Sequence, residues 1–204
     1  NPFIEATGGT ITCCGDFKVH TFTGPGTFTV TNKGNNQSVD YLVIAGGGGG
    51  GDQGGAGGGA GGYRESSGTA SGCYSRSPLG ACVSAFPIGA AGGIPVTIGA
   101  GGAGGSPARG NPGSNSTFSS IISAGGGGGG SRDIQPKAGL DGGSGGGGGG
   151  GSQGESPNPG GSGNVPSVSP PQGTNGGTGR ASNNHESGGG GGATQAGSNA
   201  GGSQ

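Results

Sequence analysis

The sequence predicts a mostly β and irregular protein. A small antiparallel β-region over residues 1–45 feeds a bundle of polyglycine II helices over 46–204, left-handed with three residues per turn and joined by loops. Three observations carry this expectation. Glycine supplies 64 of the 204 residues, against a usual ~7%. Apolar residues alternate with Thr between turn residues in the first segment, as in Thr27–Asn32 (TFTVTN). At Tyr41–Gly51, YLVIAGGGGGG, an apolar strand runs directly into glycine, and the chain stays glycine-dominated from there.

Composition narrows the classes of function. Only 25% of residues are hydrophobic, 8% are charged, and Met and Trp are absent, so most of the chain has too little side chain for an ordinary core. A formal net charge of -1 gives no reason to expect nucleic acid or an anionic membrane as partner. No apolar run approaches the ~20 residues of a spanning helix, so no membrane insertion is expected. The four cysteines allow three pairings. Without a CxxC pair and with only two His, they read as disulfide formers in an oxidising, extracellular setting rather than as zinc ligands.

The β-region is read strand by strand. Phe3–Thr7 precedes a Gly8-Gly9 turn, and Thr10–Thr12 leads through Cys13-Cys14-Gly15-Asp16 into Phe17–Thr23 (FKVHTFT). Gly24-Pro25-Gly26 and Lys33–Asn36 punctuate on either side of Thr27–Asn32, whose Phe28 and Val30 share one face. Val39–Ala45 is the longest apolar strand. So short a region is not stable alone and must lean on the glycine-rich remainder of the chain.

Beyond it, glycine runs recur at Gly46–Gly62, Gly89–Gly105, Gly125–Gly130, Gly142–Gly154, Gly173–Gly179 and Gly188–Gly202, separated by segments with real side chains. On composition alone this is the mark of disorder. The ordered alternatives are few. Glycine disfavours α-helix by about 1 kcal/mol per residue relative to Ala and weakens conventional strands. Collagen needs Gly at every third position with abundant Pro, whereas the spacing is irregular and Pro numbers 13. What remains is the extended three-residue helix, in which a run such as Gly46–Gly62 spans roughly 50 Å. Bundled rods satisfy one another's backbone groups and approach closely enough for Cα–H···O contacts.

The segments FIEATGGT, FKVHTFTGPGTFTVT and VDYLVIAGGGGGG, followed by IPVTIGAGGAGG and TFSSIISAGGGGGG, resemble the glycine-rich domain of phage tail-fibre, virion and cell-surface proteins. The rods resemble the polyglycine II sandwiches of T-even-like tail-tip adhesins and of the snow-flea antifreeze protein. In such adhesins the loops at one end of the rod stack bind the receptor. The resemblance therefore implies contact loops around Tyr63, Arg64, Tyr74, Arg76, Arg132 and Arg180, residue types that anchor interfaces, with a glycan or an outer-membrane protein as receptor. The apolar residues between runs, Phe86, Ile88, Ile94, Val96, Ile98, Phe118, Ile121 and Ile122, are expected to plug the ends of the rods.

Other motifs are weaker. Gly46-x-Gly48-x-x-Gly51 has the form of a dinucleotide fingerprint, but no helix can follow it and glycine abundance produces such matches by chance. His20 and His185 lack an evident nucleophile or carboxylate partner, and no GxSxG is present, so no enzyme, metal or cofactor is expected. Asn36-Gln37-Ser38 and Asn115-Ser116-Thr117 have the form of glycosylation acceptors. Cys73 and Cys82 bracket a short loop containing Pro78-Leu79-Gly80 and are expected to close it as a disulfide. Cys13 and Cys14 are open to a strained vicinal bond, to bonds with Cys73 or Cys82, or to an intersubunit role.

Ordering glycine costs about 1–2 kcal/mol per residue, while a hydrogen bond returns about 0.5–1.5 kcal/mol net. With little apolar surface to bury, self-association as a trimer or filament is expected. The function expected is a non-enzymatic structural subunit of an extracellular or virion fibre that also serves attachment. The alternative is a phage tail-fibre or spike adhesin whose inter-helix loops bind a host receptor. Ice binding ranks last, because Thr is sparse in the rods.

Overall fold

The computed structural model describes residues 2–35, 38–68, 75–80, 82–132, 134–181 and 186–201. The chain divides into two compact units. Unit 1 comprises Asn1–Val43, Arg64–Ile98 and Thr117–Ile122; unit 2 comprises Ile44–Tyr63, Gly99–Ser116 and Ser123–Gln204. Among the described residues there are antiparallel sheets and no α-helix.

The strands are β1 (Glu5–Thr7), β2 (Thr10–Cys14), β3 (Phe17–Thr21), β4 (Gly26–Asn32), β5 (Ser38–Val39), β6 (Leu42–Ile44), β7 (Tyr63–Glu65), β8 (Phe86–Pro87), β9 (Gly92–Thr97), β10 (Ser116–Phe118) and β11 (Ile121–Ser123). The main sheet has the order β1-β4-β9-β10-β11. Alternation in β4 puts Phe28 and Val30 inside, where Val30 is 2% exposed, and leaves Thr27 and Thr31 outside. Ala6, Ile88 and Val96 complete the buried cluster, with Ile4, Phe22, Val39, Phe86, Ile94, Ile98 and Phe118 packed against it. Phe118 stands edge-on to Phe28 and Phe86 at centroid separations of 6.0 and 4.9 Å. Of the residues expected to plug rod ends, Phe86, Ile88, Ile94, Val96, Ile98 and Phe118 build this sheet core instead, while half-buried Ile121 and exposed Ile122 stand on β11 outside it. The cause is sequence distance: β9 arrives from beyond residue 90 to pair with β4, and β10 pairs with β9, so the β unit is not confined to 1–45.

β2 and β3 form a separate hairpin, Thr10↔Thr21 through Cys14↔Phe17, turned at Gly15 with φ 57. Ile11, Phe17 and Val19 on it are exposed. His20 roots it to unit 1: its ring stands edge-on to Phe28 at 5.0 Å, and Nδ1–H donates to Gly8 O at 2.8 Å. The expected strand Val39–Ala45 is broken at Asp40-Tyr41, where the Tyr41 amide donates to the Ser66 hydroxyl and the Tyr41 carbonyl accepts from the Ser66 amide, both at 3.0 Å.

Unit 2 has a different logic. Its glycine-rich segments pair outside any strand ladder, through backbone bonds that recur on every third residue. The segments are rods 1 (45–52), 2 (56–62), 3 (99–105), 4 (108–114), 5 (124–130), 6 (137–142), 7 (144–151), 8 (158–163), 9 (174–180), 10 (186–192) and 11 (195–200). In rod 1 the amides of Ala45, Gly48 and Gly51 donate to Gly62, Gly59 and Ala56 of rod 2. Those of Gly46, Gly49 and Asp52 donate to Ser114, Asn111 and Ala108 of rod 4. Its carbonyls at 47 and 50 accept from rod 3, and those at 46 and 49 accept from rod 5. A strand has two registers; each rod presents three.

The expected single rod Gly46–Gly62 folds back on itself. Gln53 and Gly54 take φ 56 and 73, and Gly55 N donates to Asp52 O, which closes a turn between rods 1 and 2. Likewise, segments expected to be loops contribute rods 4 and 8.

The glycine pattern follows from how many sides of a rod are covered. Rod 5 is buried throughout. A Cβ at Gly125 or Gly128 would overlap carbonyls of rod 4, one at Gly126 or Gly129 those of rod 2, and one at Gly127 or Gly130 those of rod 6. All three registers are closed, so all must be Gly. Rod 9 reads GTNGGTG over 173–179: Gly173, Gly176 and Gly179 face carbonyls of Gly143, Gly146 and Gly149, while Asn175 and Thr178 occupy an open register. Serine replaces glycine inside where its hydroxyl finds a carbonyl, as Ser144 does at Gly192 O (2.9 Å).

Candidate functional site: a charged loop end and free thiols

The parallel rods of unit 2 share one direction. Rods 3 and 5 run parallel to rod 1, rod 7 parallel to rod 5, and rod 9 parallel to rod 7, as the rising pairs 47/102 and 50/105, 46/126 and 49/129, 127/144 and 130/147, and 145/174 and 148/177 require. The connections that follow rods 1, 3, 5, 7 and 9 therefore gather at one end of the unit. Asp52, Arg109, Arg132, Lys137, Glu155, Arg180 and Glu186 all stand there. Among the described residues, Asp141 is the one charged side chain of unit 2 elsewhere; its Oδ1 accepts from Ser162 N at 2.6 Å.

Side chains tie these loops together. The buried Lys137 donates to Glu155 Oε2 at 2.6 Å, joining the loops after rods 5 and 7. Arg180 lies 3.8 Å from Glu186 across the loop after rod 9. Ser187 Oγ donates to Gly54 O and accepts from Gly150 N, linking the first turn to the last rods. The end thus presents charges of both signs on a cross-linked rim, whereas the rod flanks carry Gly, Ala and small polar residues.

Of the expected recognition residues, Arg132 and Arg180 fall on this end. Tyr63 belongs to unit 2 at the start of β7, and Arg64 and Arg76 belong to unit 1. Tyr63 is half-buried in β7, its N–H donating to Gln172 O at 2.8 Å. Arg64 donates to Ile122 O at 3.3 Å and exposed Arg76 to Ser67 O at 2.9 Å, both in unit 1. Tyr74 and Cys73 lie outside the described residues, as does His185.

The cysteines correct the expected map. Cys82 is a free, exposed thiol, so the Cys73–Cys82 closure is not formed. Hydrogen bonds hold that loop instead. Buried Glu65 accepts from the Ser77 amide at 3.2 Å and from its hydroxyl, Ser67 Oγ donates to Gly80 O at 2.9 Å, and Ser67 N donates to Val83 O at 2.8 Å. Cys82, at φ 63, opens into a groove of about 370 Å³ shared with Asp40, Ser67 and Val83. Cys13 is also free and exposed on the hairpin, which rules out a vicinal bond, whereas Cys14 is disulfide-bonded.

Sequence reading missed several polar anchors. Gln172, 1% exposed, accepts from Ala124 N at 2.8 Å and donates to Pro166 O at 2.9 Å, sealing the start of rod 5. Ser66 Oγ donates to Asp40 and accepts from Tyr41 N. Burial raises the Tyr41 pKa above 10.0, and the nearby Arg64 charge opposes the rise. None of these has a sequence signature, since Ala124 is remote in the chain from Gln172, and Asp40 and Tyr41 from Ser66. Asn115 of the second acceptor motif is engaged, its Oδ1 accepting from Gly125 N at 2.9 Å; Asn36 and Gln37 of the first lie outside the described residues.

A small side-chain sheet joined in sequence to a glycine lattice defines a glycine-rich module. The chain belongs to the glycine-rich domain family, whose model matches residues 22–204. No curated protein and no solved structure gives a match to it. Among the described residues no helix is long and apolar enough to cross a membrane.

Proposed function

We propose that this chain is a non-enzymatic structural subunit of an extracellular or virion fibre, with its rods as polyglycine II helices and its charged loop end serving attachment. The observation that carries the reading is the concentration of charge: the loops at one end of unit 2 hold nearly all its charged side chains, while its flanks are bare. The three-residue bonding repeat supports polyglycine II, because that helix has three residues per turn and leaves its backbone groups free for neighbours. A lattice bonded on all sides is stiff, and a stiff spacer with a chemically distinct tip suits a part that must reach and touch.

Self-association completes the reading. The hairpin β2–β3 exposes Ile11, Phe17 and Val19 with the free Cys13, and a two-stranded ribbon alone is marginal in water. Copies of the chain meet there and along the rods. The loop end takes a cell-surface glycan or outer-membrane protein, as in a tail-fibre adhesin. Electron microscopy of the purified chain, oxidised and reduced, tests this. Filaments or discrete oligomers are expected, with reduction shortening them where Cys13 crosslinks; monomers under both conditions, at every concentration, overturn the subunit reading.

A further inference from the structure

Rod 3 has an edge that no bond among the described residues completes. Its sequence, Gly99–Gly105, is GAGGAGG. Gly102 and Gly105 donate to Gly47 and Gly50 of rod 1 at 2.8 Å, and Ala100 and Ala103 accept from Ser114 and Asn111 of rod 4 at 2.9 Å. One register is closed, since a Cβ at Gly99, Gly102 or Gly105 would overlap carbonyls of rod 4. The other two are open. Ala100, Gly101, Ala103 and Gly104 are exposed, and their amides have no partner among the described residues. A Cβ at Gly101 or Gly104 would meet nothing closer than a rod 1 carbonyl at 3.7 Å.

Glycine there is not demanded by the fold, yet no side chain larger than a methyl stands on this face. Other outer rods are blunted. Rod 4 exposes Asn111, Pro112 and Ser114; rod 8 carries Pro159 and Ser162; rod 11 exposes Gln195, Ser198 and Asn199. Side chains and Pro are how unpaired backbone edges are shielded in sheets, and a bare edge is a template. The unpaired groups of rod 3 repeat every third residue, so a β-strand, with its period of two, cannot match them. Within unit 2 the rods that satisfy such a repeat are other small-residue rods of this same chain.

We propose that the exposed edge of rod 3 is a docking surface for rod 3 of a second copy, paired antiparallel about a two-fold axis. Antiparallel pairing is already the geometry between rods 3 and 4. The face carries no charge, so two identical faces meet without repulsion, and a two-fold contact is self-complementary. The contact is short, about 22 Å for seven residues at ~3.1 Å each. It is therefore a weak contact that gains strength beside others in an assembly. The proposal rests on the self-assembling reading above and assigns it a place.

Sedimentation velocity of the full chain over a range of concentrations, under reducing conditions, tests the edge with two variants. A100K/A103K puts charge on exposed positions. G101P/G104P removes two N–H groups that bond nothing among the described residues, in an extended backbone that Pro tolerates. Both are expected to weaken association at least about tenfold with an unchanged thermal midpoint. Association equal to the parent chain in A100K/A103K overturns the edge assignment while leaving the fibre reading intact. A parent chain that stays monomeric throughout, in reduced and oxidised samples alike, overturns both.

Discussion

Unit 1 and unit 2 are stabilised in opposite ways. In unit 1 the side chains are the structure: Phe28, Val30, Ile88 and Val96 leave water together, and the backbone follows their alternation. In unit 2 the backbone is the structure. Its amides and carbonyls interlock at rod spacings that a methyl group would prevent, and rod 5 is buried with almost no side chain to bury. Mutational rules that hold in one unit should therefore invert in the other. Removing atoms harms unit 1; adding them harms unit 2.

The largest expected effect is an added methyl in rod 5. In Gly127→Ala the new Cβ overlaps the Leu140 carbonyl and lies 2.9 Å from Gly146 N. Backbone on both sides cannot yield as a side chain does, so the cost exceeds about 4 kcal/mol. Hydrogen exchange should show unit 2 amides losing protection; retained protection would mean that the lattice is looser than its bonds suggest. Next comes Phe28→Ala, which empties the centre of the sheet and should cost about 3–5 kcal/mol, read from a denaturant midpoint. An effect below about 1 kcal/mol would break the claim that side chains hold unit 1.

Gln172→Ala sharpens the comparison, because it deletes a side chain from the unit that hardly uses them. It strands the buried Ala124 amide, at a cost of about 1–3 kcal/mol, visible as faster exchange at the start of rod 5. The smallest effect belongs to Gly47→Ala, in an open register where the Cβ has 3.6 Å of clearance. Its stability should change by less than about 1 kcal/mol, with reduced unfolded-state entropy favouring stabilisation. Set beside Gly127→Ala, this pair isolates register from residue type: the same substitution, in two glycine rods, differing only in whether a neighbour covers the face.

Much of unit 1 was legible. Thr27–Asn32 announced β4 by alternation, and the strand starting at Thr10 was expected, although it runs through Cys13-Cys14 rather than ending at Thr12. What was not legible was the return of β9 and β10, because an apolar run such as Ile94–Ile98 does not name its partner. In unit 2 the existence of backbone-packed rods was legible from glycine alone. Their number and ends were not: the reversal at Asp52–Gly55 lies inside a run that reads as continuous. For the candidate site, Arg132 and Arg180 could be singled out as loop residues. That they gather at one end with Lys137, Glu155 and Glu186 depended on the parallel relation of alternate rods, which no local residue encodes.

By itself, then, the sequence determined the kind of packing available. A chain so rich in glycine cannot bury side chains over most of its length, and whatever order it has there must come from backbone contact. It also limited which rods can sit inside, since a face covered by a neighbour's carbonyls admits glycine, or serine where its hydroxyl finds a carbonyl. Tertiary structure decided which residues share the sheet core, which cysteines stay free, and which end of the rods carries charge. The physical reason is the range of the forces. Steric permission is local and can be read residue by residue, whereas hydrogen-bond partners and burial are properties of segments brought together from far apart in the chain.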